Sequence, residues 1–150
     1  MKNKDLKAFT EYFGTKLPIE KIKNRDTRVA VIGLYSSLAK AWDEVSKEIE
    51  TIRTTLTEGH LEELQEYEQL ILAGDEKSRE KANEMTECVR IYDDFSNAVN
   101  ALMETENTSA IRKISLEILF DALLDCGFPG LEKVPVSILL LQQMFNDIIN

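Results

Sequence analysis

One apolar seam, Val31, Tyr35, Leu38, Trp42, Val45, Ile49, Ile52 and Leu56, steps alternately by four and three residues without an error. That is the seven-residue repeat by which a long helix keeps one stripe turned to a partner. It commits the tract to helix, and the stretch 27 to 58 predicts a helix roughly 48 Å long. A stripe of that length has to be buried by other parts of the same chain or by a second chain.

The remaining sequence is able to bury it. A chain of 150 residues, 43% hydrophobic and 30% charged, removes roughly 68 to 70% of its unfolded surface from water on folding and needs neither a disulfide nor a metal to do so. Asp5 to Phe13 reads as a short helix with Leu6, Phe9 and Phe13 on one side, stopped at Gly14 by a left-handed cap. Pro18 starts a turn carrying Ile19 and Ile22, and Asp26 or Thr27 caps the long helix, which ends near Gly59. Leu61, Leu64, Leu70 or Ile71, and Leu72 make a third helix, ended by Gly74, and Asp75 caps the next. That fourth helix repeats the seam more weakly, with Ala82, Met85, Val89, Tyr92, Ser96, Val99 and Met103. Asn107, Thr108 and Ser109 start a helix with apolar residues from Ile111 to Leu124 on more than one face. Gly127, Pro129 and Gly130 form a turn, and Pro135 opens a final apolar helix to Ile149.

The expected fold is therefore all-α, a helical bundle of five or six helices with two long antiparallel helices of coiled-coil type. All 150 residues form one helical domain in this reading, with short helices over 1–24, the long helices over 25–106 and an apolar pair over 107–150. The final helix is too short to span a bilayer and is broken by Gln142, Gln143, Asn146 and Asp147. It packs on its own core or forms a dimer surface. The polar opening, Met1 to Lys7, lacks a secretory core, so the expected location is the cytoplasm. Cys88 and Cys126 are isolated thiols of the kind found in cores.

Charge narrows the partners. The net charge of −9 is concentrated in residues 58–106, with four basic and fourteen acidic side chains. Residues 1–57 carry eleven basic and eight acidic, including a cluster of Lys16, Lys21, Lys23, Arg25 and Arg28. Nucleic-acid binding is disfavoured, because it depends on neutralising phosphates with Lys and Arg. No membrane partner is expected, and a protein partner or self-association into homo-oligomers remains. The acidic face of Glu62, Glu66, Glu76, Glu80, Glu84 and Glu87 would meet a basic partner, and its plainer reading is a solvated helix surface.

Catalytic signals are sparse. The single histidine, His60, stands at a helix junction, no catalytic residue is assigned, and no cofactor or phosphate-loop signature occurs. One constellation is different: Glu62-Glu63-x-x-Glu66 and then Glu84-x-x-Glu87, with Asp93 and Asp94 beyond. It resembles the all-helical MazG-type nucleotide pyrophosphohydrolases, and the resemblance implies magnesium held by Glu63, Glu66, Glu84 and Glu87 against a triphosphate. Glu87 stands where that family has a closing Asp. A second resemblance is one of layout. A short opening helix, Lys16-Leu17-Pro18 before a long charged helix, and Val134-Pro135-Val136-Ser137 before an apolar finish resemble small helical proteins of unassigned role encoded in phage and prophage genomes, which implies an assembly role. The expected function is a non-enzymatic interaction or assembly protein, and the alternative is the magnesium-dependent hydrolase.

Overall fold

A computed structural model describes residues 1–150. The fold is all-helical, with α1 (Asn3–Glu11), α2 (Arg25–Thr57), α3 (Leu61–Ala73), α4 (Glu76–Glu84), α5 (Thr86–Glu104), α6 (Leu116–Asp125) and α7 (Ile138–Met144). A π-helical turn, Tyr12–Lys16, prolongs α1, and a 3₁₀ turn, Ile19–Lys21, follows Pro18. Two isolated bridges, Lys2–Glu106 and Ile114–Ile149, are the only extended pairings. No helix is long and apolar enough to cross a membrane.

The chain forms two compact units, Met1–Val45 with Thr105–Asn150, and Ser46–Glu104. The first is the larger and holds most of the core. Its spine is α2, whose first turn is capped by Asn24 rather than by Asp26 or Thr27. The Asn24 Oδ1 accepts from the Asp26 and Thr27 backbone N–H groups at 2.8 and 3.1 Å, which satisfies two of the donors that every helix start leaves open. The buried line along α2 is Thr27, Val31, Leu34, Leu38, Ala41 and Val45. Tyr35 and Trp42 of the expected seam lie half-buried beside it, because a stripe surrounded by several elements is wider than a two-helix seam. After Val45 the seam residues Ile49, Ile52 and Leu56 are only half-buried.

The same unit buries Leu6, Phe13, Leu17 and Ile22 from the opening tract and Leu119, Leu123, Leu131, Leu141 and Ile148 from the last third. Phe145 gathers an aromatic cluster, with the rings of Phe9, Tyr12 and Phe13 at 6.0, 5.7 and 6.3 Å. Gly14 does not form a left-handed cap. It continues the helical path through the π-turn and lies against Tyr35, where a β-carbon would come within 2.8 Å of the ring.

The helix expected from Asn107 begins only at Leu116, capped by Ser115, whose hydroxyl accepts from Ile118 N–H at 3.2 Å. The polar side chains of the preceding tract capture backbone groups instead, as when Ser109 N–H donates to Asn107 Oδ1 at 2.9 Å, a competition that unwinds helices. The tract pairs outward in extended form: Asn3 N–H donates to Thr105 O, and Ile114 N–H to Ile148 O, each at 3.0 Å. The last helix starts at Ile138 after the cap Ser137, not at Pro135, and ends at Met144. Leu141, Phe145 and Ile148 are buried, whereas Ile138, Leu139 and Met144 are exposed.

The second unit is thinly cored. Leu64, Cys88 and Ile91 are buried together, with Leu56, Tyr67, Met85 and Tyr92 packed around them, and Ala82 is the one other buried apolar residue there. The Arg53 guanidinium, near the end of α2, lies 5.4 Å over the Phe95 ring of α5. The long helix expected from Glu76 to Met103 is broken at Met85, whose ψ of 66° leaves the helical region, so α4 and α5 are separate elements.

Leu38→Ala is expected to cost about 2 to 5 kcal/mol, the usual penalty for emptying a closed core site. Ile52→Ala, on the same seam but half-buried, is expected to cost less than half as much. Urea unfolding of both variants checks the ranking.

Candidate interaction surface

The acidic charge belongs to the smaller unit. Residues 46–104 contain six basic and fifteen acidic side chains, which accounts for the whole net charge of −9, while the larger unit is neutral with twelve of each. Glu62 and Glu66 lie one turn apart on α3, and Glu76, Glu80 and Glu84 lie along one stripe of α4, all exposed. Asp75 caps α4, with its carboxylate held by the Ser78 hydroxyl at 2.7 Å and N–H at 3.1 Å. Those hydrogen bonds keep its carboxyl below the usual range.

The carboxylates named for magnesium do not converge. No group of three or more His, Cys, Asp or Glu side chains is placed to hold a metal ion. Glu84 ends α4 and Glu87 lies in the first turn of α5 on the other side of the Met85 break, so the Glu-x-x-Glu spacing is not carried on one helix. Glu87 is taken up by the Arg90 guanidinium, which also approaches Asp94 at 3.5 Å. The hydrogen bond with Arg90 holds the Glu87 carboxyl low. His60 occupies the cap position of α3. Its Nδ1 is buried without a hydrogen-bond partner and lies 3.6 Å from the Glu63 carboxylate.

What sequence patterning missed is the surface of α3. Its apolar residues mark it as a helix without saying which of them are covered: Leu64 alone is buried, and Leu61, Ile71 and Leu72 are 65%, 47% and 85% exposed. Two hollows open along this helix. One, of about 340 Å³, has Leu64 and Ile91 in its lining, with Leu61, Tyr92, Phe95 and Arg53. The other, of about 480 Å³, is lined by Tyr67, Glu68, Ile71, Leu72 and Tyr92. Glu68 and Tyr92 belong to both, and the Tyr92 hydroxyl donates to the Glu68 carboxylate. The Tyr67 and Tyr92 rings stack at 5.1 Å. Burial, reinforced by the bond to Glu68, pushes the Tyr92 phenol up to about 12. The Glu68–Tyr92 pairing spans 24 positions, a separation that no local pattern reveals.

The larger unit has its own groove, about 770 Å³, between α2 and the 109–112 tract. Arg112 lies across Gly33 there, where a β-carbon would meet its guanidinium at 2.5 Å, and its backbone N–H donates to Ser37 Oγ at 2.9 Å. Lys40, Arg112 and Glu44 share that lining, so it presents no single sign of charge.

No protein-family model matches the chain, and no curated protein or solved structure does either.

The Tyr92 environment gives a pH prediction. The folded phenol keeps its proton to about 12, while an unfolded one releases it near 10, so between those values the folded state holds more protons and stability falls as pH rises. Tyr92→Phe is expected to flatten that part of the stability curve, measured by chemical unfolding across the window. Tyr12, likewise pushed up to about 12 by burial, adds to the same fall in stability, and Tyr12→Phe is expected to flatten the curve as Tyr92→Phe does.

Proposed function

We propose that this chain is a non-enzymatic interaction protein that works through its acidic 46–104 unit, docking on a basic protein partner. The observation that carries the reading is the coincidence, in one thinly cored unit, of the entire net charge and of exposed large apolar side chains on α3. Exposed apolar groups ringed by one sign of charge are what partner surfaces offer, the apolar groups for affinity and the charge for steering and selection. Self-association is the related form of the same reading. The resemblance of the layout around Lys16-Leu17-Pro18 and Val134-Pro135-Val136-Ser137 to small phage-encoded helical proteins supports an assembly setting for either form.

The test compares wild type with a Glu76→Lys, Glu80→Lys, Glu84→Lys variant. These side chains are solvent-facing on α4, so helical circular dichroism is expected to stay unchanged while basic proteins recovered by affinity capture are lost, and recovery in the wild type is expected to weaken with added salt. Equal recovery by both proteins would remove the acidic face from the reading. Incubation with nucleoside triphosphates and magnesium is expected to release neither phosphate nor pyrophosphate.

A further inference from the structure

We propose that the exposed face of α3 is a groove for one amphipathic helix of a basic partner, with two apolar anchors and a lysine or arginine between them. This rests on the docking reading above and specifies its occupant. The two hollows meet at Glu68 and Tyr92, so the groove is an apolar hollow, a carboxylate and a second apolar hollow in sequence. Leu61 and Leu72 mark its ends, about 16 Å apart along the helix. That distance matches apolar side chains spaced over two to three turns of a partner helix laid alongside, the helix-in-groove mode of recognition. A strand has nothing to pair with, since the unit consists of helices and offers no sheet edge.

Electrostatics selects the sign. One Glu68 oxygen takes the Tyr92 hydroxyl, and a carboxylate retains further acceptor positions for a cation. Arg53, the one basic residue lining the groove, is already matched by Glu50 at 3.4 Å and by the Phe95 ring. An acidic helix would meet a unit of net −9 and be repelled. A second copy of this chain would bring the same acidic unit with it.

The experiment measures fluorescence anisotropy with a labelled peptide of about 15 residues, long enough to hold a helix, built from leucine and lysine with the leucines on one face. A scrambled peptide of the same composition is the comparison. Wild type is expected to bind the amphipathic peptide about ten-fold or more tightly than the scramble. A Leu61→Ser, Leu72→Ser variant, changed only at exposed positions and checked by circular dichroism, is expected to lose that preference, and Glu68→Gln to weaken it. Equal binding of the two peptides by wild type overturns the groove and leaves the acidic docking reading intact. Binding of neither, even at low salt, overturns both. A wild-type dimer that the double leucine variant dissociates overturns the proposed occupant, because the groove is then filled by a second copy.

Discussion

The buried line Thr27, Val31, Leu34, Leu38, Ala41 and Val45 along α2 is the constraint to which the larger unit conforms. The other buried side chains of that unit come from both ends of the sequence, Leu6 and Phe13 from one and Leu141 and Ile148 from the other. No element of that unit other than α2 is long enough to organise the rest, since α1, α6 and α7 are each ten residues or fewer. The seam continues past Val45 by pattern, but its burial does not, and the compact unit ends where the burial does.

The second unit is built on a different balance. Four buried apolar residues and fifteen carboxylates among its 59 residues give it little hydrophobic driving force and appreciable self-repulsion. Local pairings offset part of this, with Arg90 between Glu87 and Asp94 and Arg53 beside Glu50, though exposed pairs of this kind contribute little each. Burying Leu61, Ile71 and Leu72 under a partner would supply apolar contact that the unit lacks by itself, and a basic partner would relieve its charge. Binding and folding stability are linked in such a case, because a ligand that favours the folded form stabilises it.

The helical class, the extent of α2, the Gly74 stop and the Asp75 cap were all legible, because each depends on periodicity or on chemistry within a few residues. Three features were not. The break at Met85 interrupts a seam whose apolar spacing is continuous on both sides, so pattern alone runs through it. The extended 105–115 tract contains good cap residues, but its backbone bonds go to Met1, Asn3 and Ile148, partners that lie far away in sequence. The α3 surface was not legible because helical periodicity marks apolar positions without showing which of them another element covers, and Leu64 is buried while Leu72 is exposed. The acidic residues were found as a composition, while Glu68, the carboxylate set among apolar side chains, became visible only when Tyr92 was brought to it.

The chain order of the two units has a consequence for synthesis. Residues 46–104 lie between the halves of the larger unit, so Phe9 and Phe13 have to wait for Phe145, and Ile114 for Ile148. The acidic unit has all of its own contacts within 59 residues and can close while the last third of the chain is still being made, as local contacts form ahead of distant ones. The ribosome thus completes the acidic unit, with the proposed docking face, before the part of the molecule that carries most of the core, and during that interval the apolar side chains of the opening segment are the ones left without cover.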